Sequence, residues 1–407
     1  MLEGTTEDWN FENADTQYLT HGFHPYPARM IPQVAKRLIE RYSKPGELIL
    51  DPFCGSGSVL VESRLLGRNS VGIDVNPLAL ILAKAKTTPI DPQILESYWV
   101  ELKENIDTAI RKLRFREINV NLPKIRNLDY WFKPQVQKEL TIIRQLLEKI
   151  ENKKARNFFS TCFSITVRES SNLRQNEFKI YRISFDRLKR HNPDVSQIFS
   201  QHVEDNISKA AEFYKQVSKD IRSEVVFGDT RNLPLKDKSI DLVVTSPPYG
   251  DSKTTVAYGQ FSRYSALWLG LNEYIVMKVD DISLGGSQTE NESLPSKIFR
   301  RISGEIREKS VERSKDVFSY FTDLYQCLKQ IHRVLKEGKN CCFVIGNRTV
   351  KRVKAPTDEI IAELGESLGL RHEATIYRRI PTKRMPWENA PENVIGEKGE
   401  MEDPREP

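Results

Sequence analysis

Residues 47–75, ELILDPFCGSGSVLVESRLLGRNSVGIDV, decide the fold. Residues 47–51 are a short apolar run closed by an acid, which reads as a buried strand. Gly55 and Gly57 follow in a loop, then a helix from about 59 to 66, then a second apolar strand at 70–75. Short apolar strands separated by one helix predict a parallel sheet. Working outward, IPQVAKRLIERY (31–42) has apolar residues at helical spacing and ends at Pro45-Gly46. Further strands are expected at SEVVFGD (223–229), DLVVTSPPY (241–249), GKNCCFVIGN (338–347) and HEATIYRRI (372–380). Helices are expected at 317–335 and 357–368. The fold class is therefore α/β, a doubly wound, mostly parallel, Rossmann-like sheet. A large, mainly helical insertion interrupts it between the second and third strands.

This pattern divides the 407 residues into four parts. Residues 1–90 form the first part of the core, with 1–20 polar and expected to be loosely ordered. Residues 91–222 are the insertion, 223–385 the second part of the core, and 386–407 an acidic tail expected to be frayed. ENVIGEKGE (392–400) has the pattern of a final hairpin strand, and 250–316 reads as charged and irregular. Hydrophobic residues at 39% suffice for a core, and the net charge of +6 is compatible with a polyanionic partner. The five cysteines include no C-x-x-C pair, which argues against a disulfide framework or a zinc site, and no metal is expected. No apolar run has the length of a membrane span and no signal peptide opens the chain, so a reducing prokaryotic cytoplasm is expected.

The loop D51-P-F-C-G-S-G-S58 lacks the third glycine of a dinucleotide site and the Gly-Lys-Ser/Thr of a P-loop. Its glycines permit a tight turn and close approach of a ligand. Asp51, Asp74 and Asp229 each end an expected strand. Asp51 can pair with an ammonium group, Asp74 with a ribose diol, and Asp229 with an adenine amine. Three carboxylates at three strand ends beside a glycine loop match S-adenosylmethionine. Three solvated loop aspartates are the plainer alternative.

TSPPYG (245–250) closes the fourth expected strand. Proline cannot donate to a sheet ladder, so the strand stops there, and Tyr249 presents a flat face on a rigid shelf at the carboxyl end of the sheet. Together FHPYPARMIP (23–32), DPFCGSGSV (51–59), GIDVNP (72–77), GD (228–229) and TSPPYG resemble the DNA amino-methyltransferases. The resemblance covers roughly 20–90, 223–260 and 320–385. The glycine loop precedes the SPPY motif, so the order is not the permuted one.

The resemblance implies a methyltransferase of this α/β fold that acts on duplex DNA by base flipping and direct transfer. It implies that Phe53, Gly55 and Gly57 surround the methionine part of S-adenosylmethionine, with Asp51 at its amine. Asp74 then holds the ribose, Asn76 and Asp229 lie near the adenine, and His24, Pro25 and Pro27 close the pocket. Ser246, Pro247, Pro248 and Tyr249 form the target-base site. A serine at the head of the tetrapeptide is most similar to the N4-cytosine branch, with N6-adenine and RNA N2-guanine methylation as alternatives. The implied setting is restriction–modification, with a cognate restriction endonuclease as partner. Residues 168–190 interleave Arg and Lys with amides and aromatics, so Arg174, Lys179 and Arg182 are candidate DNA contacts, against the alternative of a solvated helix face. The same choice applies to 297–315 and to Lys383-Arg384-Met385-Pro386.

Overall fold

The computed structural model describes residues 7–175, 177–251, 254–288 and 293–379. Five parallel strands form the central sheet: β1 (Leu48–Asp51), β2 (Asn69–Asp74), β3 (Ser223–Phe227), β4 (Ile240–Thr245) and β5 (Leu335–Phe343). Their spatial order is β3-β2-β1-β4-β5. The chain winds outward from β1 to β3 and then returns to place β4 against the other side of β1. The loops leaving β1 and β4 therefore diverge at a topological switch point, where sheets of this kind hold ligands.

Alternation along the strands covers both faces. Ile49, Leu242 and Val244 pack with α1 (Pro32–Tyr42) through Val34, Ala35, Leu38 and Ile39. Leu50, Val243 and Ile73 point the other way, toward Ile331 and Val334. Gly57, at φ 88°, turns the chain into α2 (Ser58–Leu65). Asn76 caps α3 (Pro77–Thr87), accepting from the Leu78 N–H, with Pro77 in the first turn where its missing donor costs nothing.

Between β2 and β3 lie α4 (Pro92–Arg114), α5 (Leu128–Trp131), α6 (Pro134–Glu148), α7 (Lys153–Ser170), α8 (Phe185–Arg190) and α9 (Val195–Gln216). Most of them share a core, with Leu95, Trp99, Leu140, Phe159, Phe163 and Phe199 at its centre, which Phe23 and the α10 residues Tyr264 and Trp268 complete. Residues 250–316, expected to be irregular, instead carry α10 (Tyr258–Trp268), α11 (Glu273–Ile282) and α12 (Lys297–Lys309). α12 buries Phe299, Ile302 and Ile306 and leaves its arginines to solvent. α13 (Val311–Val334) leads into β5, and α14 (Thr357–Glu366) follows a small antiparallel hairpin, β6 (Arg348–Val350) with β7 (Val353–Ala355).

Two further expectations fail. Residues 372–379 form no strand; Ile376 and Tyr377 are exposed, and the segment is tied at single points, as where Asn340 Nδ2 donates to Glu373 and the Arg379 N–H to Asn10. The described part of 1–20 is not loose: Trp9 is buried against α1, with the Arg37 guanidinium 5.0 Å from its ring centroid. The expected hairpin strand at 392–400, the tail from 386 and Lys383-Arg384-Met385-Pro386 lie outside the described residues. Among the described residues no helix is long and apolar enough to cross a membrane.

Candidate active site

A pocket of about 860 Å³, open solvent at its mouth included, lies where β1 and β4 diverge. Asp51 lies on its floor, 4% exposed. Its Oδ1 accepts from Thr245 Oγ1 at 2.6 Å and from the Phe53 N–H at 3.2 Å. Burial pushes its carboxyl up to about 7, although these hydrogen bonds favour the ionised form. Asp74 accepts the Gly55 N–H at 2.9 Å and the Asn76 N–H at 2.8 Å. Burial raises it to about 6. Each carboxylate keeps lone pairs that the protein does not use.

Pro27, Phe53, Gly55, Asn76, Asp229, Ser246 and Pro248 line the same pocket. The Asn76 side chain is already committed: Oδ1 caps α3, and Nδ2 donates to Tyr26 Oη at 3.0 Å and Ser262 Oγ at 2.7 Å. Asp229 is clamped by Arg231, whose Nη2 lies 2.6 Å from Oδ2 and whose Nη1 bridges to Asp323 at 2.9 Å. Gly55, at φ 48°, passes under the Tyr26 ring, which a Cβ there would meet at 3.3 Å.

Five expected residues are not in the lining. His24 is buried, with Nε2 at 2.9 Å from Ser164 Oγ on α7, so it joins the insertion to the core. Pro25 is exposed. Gly57 is needed for its turn and for closeness to α3, since a Cβ would come within 3.0 Å of Ala83. Pro247 is buried behind the pocket wall. Tyr249 sits just beyond the lining, its hydroxyl 3.4 Å from Ser246 Oγ. The Tyr320 hydroxyl donates to the Pro248 carbonyl at 2.6 Å and fixes the SPPY backbone from α13.

Sequence reading missed Arg29, Tyr26 and Tyr258, all in the lining. Tyr258 stacks on Tyr26 with ring centroids 6.1 Å apart, and Asp280 of α11 holds it there by accepting the Gly259 and Gln260 N–H groups at 2.9 and 3.1 Å. A glycine at 259 was the available signal, because a Cβ there would reach Asp280 at 2.7 Å.

The segment after α7 is a bent hairpin and not a helix face. Leu173 and Arg182 form an antiparallel bridge, and the Arg174 N–H donates to the Tyr181 carbonyl at 2.9 Å. The Arg182 guanidinium lies 4.0 Å over the Tyr130 ring, and Phe178 and Tyr181 are about half-exposed. The hairpin docks on α10: the Ile180 N–H donates to Gln260 at 3.1 Å, and buried Arg168 sits 4.1 Å over Phe261.

The model of the N6/N4 DNA methylase family matches residues 4–85 and 240–378, which take in β1, β2, β4 and β5 and leave out the insertion together with β3. The chain belongs to the N6/N4 DNA methylase family. The type II methyltransferase M.MvaI of Kocuria varians is 40% identical over 95% of this methylase and 89% of that protein, so its similarity runs through the insertion. M.MjaII of Methanocaldococcus jannaschii is 22% identical over 65% of this methylase and 64% of its own length. M.BsoBI of Geobacillus stearothermophilus is 20% identical, over 86% and 78% respectively. The methylase uses S-adenosylmethionine. The pocket fits that cofactor: the buried Asp51 and the partly buried Asp74, each with open lone pairs, suit an ammonium and a diol, and the Tyr26–Tyr258 stack and Phe53 supply flat apolar surface.

Proposed function

We propose that this methylase methylates the exocyclic N4 amine of cytosine in duplex DNA, by base flipping and direct transfer, as the protective half of a restriction–modification pair. The observation that carries the reading is that Ser246 and Pro248 line the same pocket as Asp51 and Asp74, with Tyr249 alongside. The type II names of its relatives support the restriction–modification setting.

When bound, S-adenosylmethionine supplies an electrophilic methyl group. Asp51 holds its ammonium and Asp74 its ribose diol, while Phe53 and the Gly55 backbone run along the methionine part. An amine on an aromatic base is a poor nucleophile because its lone pair is delocalised into the ring. Ser246 Oγ and the Pro247 carbonyl accept its N–H groups and draw the lone pair out of conjugation. The Pro247 carbonyl precedes a proline, and the next carbonyl is held by Tyr320, so the acceptors are preorganised. The target base reaches the pocket only out of the stack, which costs a few kcal/mol, and stacking on Tyr249 returns about 1–3 kcal/mol. Cys54 is no nucleophile for ring-carbon methylation: burial pushes its thiol well above the usual range.

Mass spectrometry of nucleosides from DNA methylated in vitro is the test. N4-methylcytosine is expected; N6-methyladenine as sole product overturns the base assignment and keeps the site.

The hairpin after α7 is the proposed DNA contact. Replacing Arg174, Lys179 and Arg182 together by Ala is expected to weaken DNA binding. The slope of log K against log salt should fall by about one for each phosphate that is no longer neutralised. An unchanged slope in a folded triple variant removes the hairpin from the interface.

A further inference from the structure

Residues 344–357, VIGNRTVKRVKAPT, hold four cations, Arg348, Lys351, Arg352 and Lys354, and no acid, so nothing within the stretch neutralises them. All four lie on the β6–β7 hairpin, whose register pairs Arg348 with Ala355, Thr349 with Lys354 and Val350 with Val353. Strand alternation sorts these residues onto two faces. Val350, Val353 and Ala355 are buried with Phe299 of α12, Leu324 of α13 and Ile360 of α14, so one face is fixed to the core. Thr349, Arg352 and Lys354 are exposed. Among the described residues Lys351 and Lys354 enter no ion pair. Arg348 faces inward, 3.4 Å from Asp251 Oδ2, and donates to Thr254 Oγ1 at 3.0 Å.

The hairpin starts at the SPPY shelf. β5 is parallel to β4, so the chain leaves both strands at the same edge of the sheet. Gly346 lies against the Tyr249 ring, which a Cβ there would meet at 3.8 Å. Two residues on, Arg348 packs on Gly250, where a Cβ would come 2.0 Å from its Nη1, and its partner Asp251 directly follows the SPPYG stretch. From Gly346 to the turn at 351–352 the chain can span no more than about 20 Å. One DNA strand advances about 3.4 Å per phosphate, so the cations stand within about six nucleotides of a base held on Tyr249. Lys351 and Arg352 take φ of 50° and 60°, the left-handed region that Asn-Gly fills at lower cost in a two-residue hairpin turn. Two long cations therefore hold strained backbone at the tip of a rigid hairpin. The insertion packs on α3 and α10 at the β2–β3 end of the sheet, whereas this hairpin stands at the β5 end, across the shelf from the hairpin after α7.

We propose that the β6–β7 hairpin grips the phosphate backbone of the DNA strand that carries the target base, with Lys351, Arg352 and Lys354 neutralising phosphates beside the flipped nucleotide. The inference rests on the SPPY shelf holding that base, and not on which base it is. Unneutralised cations on a fixed, polar face suit phosphates, which position a duplex without reading its sequence. A base swung out of the stack carries its backbone with it. A grip a few nucleotides away holds the open geometry that restacking would otherwise close. Arg348, tied to Asp251, keeps the hairpin in register with the shelf, so the grip and the base site move as one body.

The test is anisotropy titration of the whole protein with a duplex carrying the sequence that it methylates, located by sequencing its product, over a series of salt concentrations. The variant combines Lys351→Asn, Arg352→Gly and Lys354→Gln, which removes three charges and supplies the turn sequence that the backbone prefers. Its melting temperature should equal or exceed that of the wild type. Its affinity for S-adenosylmethionine without DNA should stay within about twofold, because no residue of the lining changes. The slope of log K against log salt should fall by about 0.9 for each lost phosphate contact, roughly 2–3 in all. A merely structural role would move the melting temperature and leave the slope. Neutral methylphosphonates, placed singly on the target strand within about six nucleotides of the methylated base, should weaken the wild type and barely affect the variant. An unchanged slope in the variant overturns the proposal, as does sensitivity confined to the complementary strand. Should the triple variant fail to fold, Lys354→Gln, on the exposed face, should still lower the slope by about one, and an unchanged slope there overturns the proposal as well. The shelf reading fails separately, through full activity of Tyr249→Ala, a measurement that the hairpin charges do not enter.

Discussion

Tyr249→Ala is expected to lower kcat/KM for methyl transfer by roughly 5- to 150-fold, the range set by loss of one base–aromatic stack. The affinity for S-adenosylmethionine should survive, because the Tyr249 ring lies outside the lining that holds the carboxylates. The ring position is well determined. Its hydroxyl reaches Ser246, the loop after β5 packs against it so closely that a Cβ on Gly346 would come within 3.8 Å, and Tyr320 anchors the preceding carbonyl. Ser246→Ala should act differently, lowering kcat by roughly 10-fold or more with little change in KM. Its hydroxyl accepts from an amine that becomes positive only as the methyl arrives. Full activity in both variants would dismiss the SPPY shelf as the base site. A parallel fall in cofactor affinity for Tyr249→Ala would place the ring in the cofactor pocket instead.

Cofactor binding is expected to release protons. In the free protein burial pushes Asp51 up to about 7 and Asp74 up to about 6, while an incoming ammonium favours the ionised carboxylate. Affinity should therefore fall by about tenfold per unit as pH drops below 7, and fall again at high pH as the cofactor's own ammonium loses its proton. Calorimetry near pH 6.5 in buffers of different ionisation enthalpy reads the protons directly. The stability effect has the opposite sense. A carboxyl whose folded pKa lies above its unfolded one adds stability below about 4, and that stability is lost as pH rises through about 7. Asp51→Asn keeps an acceptor for Thr245 and removes the buried charge. At pH 8 the unliganded variant should exceed the wild type by roughly 2–4 kcal/mol, with the gap narrowing below about pH 7 and closing only near pH 4. It should also bind S-adenosylmethionine roughly 30-fold or more weakly. An unliganded Asp51→Asn protein no more stable than wild type at pH 8 would mean that Asp51 is not held at a desolvation cost.

β1 to β4 were legible because each is a short run with an apolar centre and an acid or a proline within two residues of its end. The same punctuation marked Asp51, Asp74, Asp229 and Ser246, all of which line the pocket. What stayed hidden depends on contacts remote in sequence. Lys86 reads as an ordinary solvent-facing lysine of α3, and only the fold reveals that it is enclosed. Tyr258 opens α10, whose apolar residues lie in a stretch read as charged and irregular because charged, glycine-bearing segments flank it. The β6–β7 turn places Lys351 and Arg352 at φ 50° and 60°, where the sequence signal would be Asn-Gly. Residues 372–380 alternate like a strand, but the described part finds no ladder, so the pattern had nothing to pair with. The family resemblance read from the motifs is borne out by the match over both halves of the core.

The insertion between adjacent strands has a temporal consequence. Ser70 of β2 pairs with Ser223 of β3, 153 residues further along the chain. At roughly 5–20 residues per second, a ribosome delivers that partner about 8–30 s after β2 has emerged. Until then the outer edge of β2 is an open template. The intervening helices can bury most of their core among themselves in the meantime, all but the part that Tyr264 and Trp268 of α10 complete, so they can condense first and, as they do, draw the ends of their own segment together. The sheet is then completed late and from the middle outward, since β4, which pairs with β1, follows β3 closely in the chain. A nascent chain stalled before residue 223 should show protease protection in the helical segment and none in β2, which sets the order of assembly on an experimental clock.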